Sequence, residues 1–195
     1  MASVSKAVIP GITQGVNQGD IFMDVSYSYI DSEDFESVEI FEFVFPYAIV
    51  VSQSCDVDFM NSFEAGENDM PVKFMPGILM CPLYQQAKIK HGAHLQSLYD
   101  ELERPLDKGS AYFPTEDRKV TDKDQHVRFH ALTVQADNGS ILIENAVLDF
   151  KHLFTVPMKY LRNNRAKRIC RIEDIYIDQI VNKLGAFISR IGLPN

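Results

Sequence analysis

The sequence predicts a mainly β, α+β fold: a small barrel with an inserted helix and a C-terminal amphipathic helix. Three observations carry this. Tyr47 to Ser52 is a continuous apolar run entered through Pro46, the pattern of a strand buried on both faces. Asn138-Gly139 stands between two apolar runs, Val127 to Val134 and Ser140 to Leu148, a strong hairpin signal. Ile172 to Ile191 sets Ile177, Ile180, Val181, Leu184, Phe187, Ile188 and Ile191 at helical spacing, one apolar stripe on an amphipathic helix.

The elements follow in order. Gly19-Asp20 predicts a turn into a strand, Ile21 to Tyr29, rich in Tyr, Phe, Val and Ile. Asp31 to Asp34 is a polar turn. Phe35 to Phe45 alternates apolar and acidic residues, as a strand with one wet face does, and Pro46 breaks it before the next strand. Asp58 to Pro71 holds Gly, Asn and acidic residues and reads as a loop. Gly77 to Leu83 is a second buried strand. Gln85 to Leu102 is helical by its apolar spacing and ends before Pro105. Lys108 to Gln125 is polar and turn-rich. Lys151 to Pro157 continues the late strand, and a short helical turn runs from Pro157 to Leu161. The terminal stripe packs on the domain's own sheet, and Gly192-Leu193-Pro194 stops the helix.

With 195 residues, 46% of them hydrophobic, the chain suits one domain over 1–195 with a real core. No apolar window is long enough for a membrane helix, and the first residues do not resemble a secretory signal. The three cysteines, Cys55, Cys81 and Cys170, are far apart and odd in number, which predicts a reducing cytoplasm rather than a disulfide scaffold. The net charge of −8 is unevenly placed. Ala7 to Val72 has 13 acidic residues and no Lys or Arg. Lys159, Arg162, Arg165, Lys167, Arg168 and Arg171 crowd into one short stretch. An acidic end repels nucleic acid, whereas the basic stretch could bind its backbone or dock the acidic segment of a second copy. Tyr160 is the only aromatic residue there, so base stacking is poorly provided for.

Four segments resemble the PemK/MazF-like group of small SH3-type barrels. Gly19-Asp20-Ile21-Phe22 is similar to that family's opening strand. Pro46 to Ser52 resembles its Arg-Pro-x-Leu-Val-Val-Ser strand. Ile78-Leu79-Met80-Cys81-Pro82-Leu83 resembles its Pro-Leu-Thr strand, and Val147 to Leu161 its late strand and turn. The resemblance implies an SH3-like barrel and a toxin–antitoxin or phage-defence setting. It also implies an Arg before the Pro of the second motif and a Thr after Pro-Leu in the third. Phe45 and Tyr84 stand there. Neither can support a phosphorane-like transition state as a guanidinium does, and Tyr84 is a weak acid at best. RNA cleavage is therefore not expected, and a barrel kept for binding is.

Ser52, Gln53, Ser54, Cys55 and Asp56 follow the buried strand. A side chain fixed at a strand end is well placed for binding or catalysis. Cys55 and Asp56 are the candidate catalytic pair, with a histidine such as His91 or His94 as base. The competing reading, and the better supported one, is a turn capped by Ser54 and Asp56. His91-Gly92-Ala93-His94 with the cysteines invites a zinc reading. Antiparallel pairing of the two buried strands puts Cys81 opposite the region of Ala48 and leaves Cys55 roughly 20 Å away at strand rise. No metal site and no cofactor is expected. Binding residues are sought at Ser52 to Ser54 and at Lys159, Arg162, Arg165 and Arg168. The partner is another protein or a second copy, with nucleic acid as the alternative. The other functions open to the chain are a cysteine-dependent enzyme and a structural subunit of a homo-oligomer.

Overall fold

The computed structural model describes residues 3–11, 13–31, 39–67, 74–90, 93–95 and 128–191. His91, most of the helix predicted over 85–102, the polar segment at 108–125 and the stop at 192–194 lie outside the described residues, as does the turn at 32–34.

Eight strands are described: β1 (Ser3–Val8), β2 (Asp20–Asp31), β3 (Glu39–Val50), β4 (Ile78–Gln85), β5 (Phe129–Ala136), β6 (Ile141–Asp149), β7 (Phe154–Val156) and β8 (Arg168–Ile172). Four α-helices are described with them: α1 (Ser54–Glu64), α2 (Gln86–Lys90), α3 (Met158–Asn163) and α4 (Asp174–Ile191). The strand order is β3-β2-β8-β1-β5-β6-β4-β7, and β3 also pairs with β4. That last pairing closes seven strands into a barrel, with β7 continuing the wall along β4. Closure removes the sheet edges that an open sheet would expose. The barrel is mixed, because β1 runs parallel to β5 while its other neighbour, β8, is antiparallel.

The two buried runs pair as Tyr47 with Leu83, Ile49 with Cys81 and Val50 with Met80. Alternation sends successive side chains to opposite sides of the wall. Ile21, Ile49, Cys81, Leu83, Leu132, Leu148 and Ile172 enter one core, where Ile177, Ile180 and Leu184 of α4 join them. The predicted apolar stripe thus packs on the chain's own barrel. Phe22, Ala48, Val50, Ile78 and Met80 point the other way, under Val57 and Met60 of α1 and Met158 and Leu161 of α3. This explains the uninterrupted apolar run at the end of β3: both faces are covered from Ala48 to Val50, and each large side chain there contributes about 1.5–3 kcal/mol by leaving water.

Several expectations are corrected by the structure. Pro46 does not end a strand, because β3 runs through it. Met23 lies opposite Tyr47 and Val25 opposite Phe45, so Asp24 and Pro46 fall unpaired between them. Asp24 has φ 47, and this irregularity places the missing Pro46 N–H where no ladder bond is needed. Residues 54–64 form helix α1 rather than a turn and loop. The segment after Asp149 is a 3-10 turn, Phe150–His152, before the short β7. The end of the basic stretch is strand β8, and β1 is an additional strand.

Among the described residues Gly19, Gly66 and Gly139 hold φ values that other residues adopt at a cost. Gly139 (φ +84) completes the predicted Asn138-Gly139 hairpin between β5 and β6. Gly19 (φ +84) receives Ile172 N–H on its carbonyl at 3.0 Å and donates to Val50 O at 2.9 Å. A Cβ there would lie 3.1 Å from Ile172 O.

Candidate functional site

Where β4 ends, the chain leaves the barrel wall, and it returns at β5. Residues from both points of departure and return meet side chains of β6. Tyr84, near the end of β4, packs outside the barrel with Ile89 of α2, Phe129, Ala131 and Val147. Its hydroxyl is 3.1 Å from His152 Nδ1. His152 follows Asp149 by three residues in the 3-10 turn, and its Nδ1 is 3.4 Å from Asp149 Oδ2. Arg128 grips the same carboxylate with two parallel bonds, Nε to Oδ1 and Nη2 to Oδ2, each 2.7 Å. Lys151 N–H donates to Asp149 Oδ1 at 3.1 Å. His94, in the 3-10 turn Ala93–Leu95 after α2, places its ring edge-on to Tyr84 at 4.7 Å and 6.0 Å from the His152 ring.

The electrostatics follow from burial. The Asp149 side chain is fully buried and those of Arg128 and His152 are 18% and 20% exposed. A buried carboxylate needs such pairing, and the forked guanidinium satisfies both oxygens. Burial, reinforced by the neighbouring His152, lowers the His94 pKa to about 4. Burial also lowers that of His152, against the opposing pull of Asp149. Both imidazoles are therefore uncharged at neutral pH. Cys81, whose thiol faces the Asp149 carbonyl at 3.6 Å, is pushed well up by burial and by Asp149. Cys170 is pushed up to about 12, first by burial and then by Asp20. Neither buried thiol offers a nucleophile.

Beside this cluster lies a cleft of about 300 Å³, lined in part by Tyr47, Tyr84, Gln85, Gln86, Glu144 and Asn145. Asn145 has φ 46 and sits at a bulge, where Leu132 pairs with Ala146 but Val134 with Ile143. Its N–H donates to Thr133 Oγ1 at 3.3 Å. Bulges and such backbone outliers gather at sites that position side chains.

The other predicted residues are dispersed. Ser52 Oγ accepts Leu79 N–H at 2.8 Å, a bond that ties β3 to β4. Gln53 precedes α1 in an extended conformation, and Ser54 Oγ donates to Gln18 Oε1 at 2.9 Å. Cys55 is exposed in the first turn of α1, its sulfur 3.9 Å from Gln53 Oε1 and 3.8 Å from Asp56 Oδ1. Tyr84 is roughly 13 Å of strand rise from Met80. Cys55 lies beyond Met80's partner Val50 in the opposite direction. His94 is held at Tyr84, so the structure does not bring Cys55 and His94 together.

Arg168 is buried rather than presented to a ligand. Its Nη1 bonds Asp20 Oδ2 at 2.9 Å and Gly15 O at 2.7 Å, and its Nη2 bonds Gly11 O at 2.7 Å. Arg171 Nε takes the other Asp20 oxygen at 2.7 Å. Arg162 is 4.0 Å from Glu64, and Lys167 Nζ donates to Asp24 O at 3.1 Å. Lys159 is exposed and Arg165 half-buried.

Sequence reasoning singled out Tyr84 and His94 but missed Arg128, Asp149 and His152. The available signal was Asp149-x-x-His152, a spacing that puts both residues on one side of a helical turn. Phe45 and Tyr84 are neighbours, with rings 6.4 Å apart, so the positions the resemblance pointed to do form one location. No protein-family model matches the chain, and neither a curated protein nor a solved structure matches it. The closed seven-strand barrel is consistent with an SH3-type fold. Among the described residues no helix is long and apolar enough to cross a membrane.

Proposed function

We propose that this chain is a non-catalytic binding module on a PemK/MazF-like barrel, acting in a toxin–antitoxin or phage-defence setting through contact with a protein. The contact face is the outer side of the β2–β3 ribbon, and its simplest occupant is a second copy of the chain. One observation carries the reading. Ile40, Glu42, Val44 and Pro46 alternate on the outward face of β3, and Ile40 and Val44 are 67% and 50% exposed. Met23 of β2 is also exposed. Apolar side chains repeated along one exposed strand face suit a protein interface.

Charge supports protein over nucleic acid. Of the six basic residues in the stretch 159–171, Arg168 and Arg171 are committed to Asp20. Lys159, Arg162, Arg165 and Lys167 leave a small basic face that complements the acidic ribbon. Cleavage is disfavoured because the guanidinium at the Tyr84 site is held by Asp149, where it neutralises a carboxylate instead of a developing phosphate charge.

Light scattering across protein concentration and salt tests this. The expected result is a dimer mass that falls toward one chain as salt rises. An Ile40→Ser/Val44→Ser double variant, folded by circular dichroism, is expected to remain a monomer. A wild type that stays monomeric at every concentration overturns the proposal. So does tight binding of single-stranded RNA unaffected by that variant.

A further inference from the structure

We propose that His94, Asp149 and His152 form a binding site for a divalent transition ion of the zinc class. The donor atoms of these three residues all lie within 4.8 Å of one another. Two imidazole nitrogens and a carboxylate oxygen form a donor set suited to such an ion. At bond lengths of about 2.0–2.2 Å, neighbouring donors of a tetrahedral shell are about 3.3–3.6 Å apart. His152 Nδ1 and Asp149 Oδ2 are already 3.4 Å apart. That is long for an N–H···O bond, but it matches the spacing of two ligands on one ion. Tyr84 Oη, 3.1 Å from the same nitrogen, is placed to be a fourth ligand or to bond a metal-bound water.

Arg128 is compatible with the ion. A carboxylate has about four acceptor positions. Among the described residues Arg128 and Lys151 N–H both donate to Oδ1, whereas Oδ2 accepts from Arg128 and faces His152 Nδ1. A position therefore remains on Oδ2, the oxygen facing His152. Ligand carboxylates are commonly oriented by such outer hydrogen bonds. The ion would also join His94, on the segment that leaves the barrel, to Asp149 and His152 on its wall. Binding should therefore stabilise the folded chain.

The probe is Zn²⁺ added to chelator-stripped protein, with Co²⁺ as its optical surrogate. One equivalent should bind, and the Co²⁺ complex should show four-coordinate visible bands without a thiolate charge-transfer band. At a hundredfold excess over Kd the melting midpoint should rise by about 5–10 °C. His152→Gln and His94→Gln should each weaken binding by about tenfold or more. Circular dichroism identifies the folded variants, and the wild-type Co²⁺ spectrum does not depend on them. Absence of Zn²⁺ binding overturns the proposal. A thiolate band overturns it too, as does unchanged stoichiometric binding in both folded variants.

Discussion

Asp20→Ala is expected to destabilise the protein by about 3–5 kcal/mol, the cost of removing one partner from a buried ion pair. Asp20 is fully buried and faces two guanidinium groups, and the Arg168 side chain is only 1% exposed. Arg168 also holds the carbonyls of Gly11, Gln14 and Gly15, and Asp20 Oδ2 accepts Asn17 N–H at 2.8 Å. One carboxylate thus fixes the segment before β2 onto β8. Without it the Arg168 cation stays buried with only neutral carbonyl partners. Urea unfolding of the variant checks this, and a loss below about 1 kcal/mol, typical of an exposed pair, contradicts it.

Acid is expected to weaken the metal-free protein through His94. The unfolded chain takes up this proton near pH 6.5, whereas the folded chain resists it until about pH 4. Between those values the unfolded state binds more protons, so stability falls as pH falls. Above the window the group contributes no slope, and below it the loss is complete. At 1.36 kcal/mol per pH unit the full loss is about 3 kcal/mol, and His152 acts in the same direction. Unfolding curves between pH 7 and pH 4, in the presence of chelator, should be clearly steeper in pH for wild type than for His94→Gln. Parallel dependences would show that His94 is not held uncharged.

The parts of the fold legible in the sequence are those set by local pattern. The Asn138-Gly139 hairpin, the two buried strands and the terminal helix each follow from periodicity or turn chemistry within a few residues. Pro46 misled because its tolerance depends on Asp24, a strand away. Strand β8 was hidden by charge: burial alternates along Arg168-Ile169-Cys170-Arg171-Ile172 although polarity does not, and its arginines read as surface until Asp20 is seen to bond both. Strand β1 pairs in parallel with β5, more than a hundred residues away, and no local signal announces such a partner.

The candidate site was legible only in fragments for the same reason. Tyr84 and His94 drew attention through motif position and residue type. Arg128 and Asp149 are 21 residues apart, and Tyr84 and His152 are 68 apart. Strand pairing brings them together: β5–β6 sets Phe129 opposite Asp149, and β4–β6 sets Tyr84 opposite Val147. Cys55 stood out because it follows the clearest strand, but that strand carries it away from Tyr84 and its histidines.

Contact through the β2–β3 ribbon is tested most directly by hydrogen exchange across a dilution series of the wild-type protein. Amides of residues 39–45 and their β2 partners should gain protection as concentration rises. Those of Ser54 to Asp56 and of 159–167 should change less. Exchange independent of concentration, or protection confined to 159–167 and appearing only when RNA is added, would contradict a protein-binding ribbon.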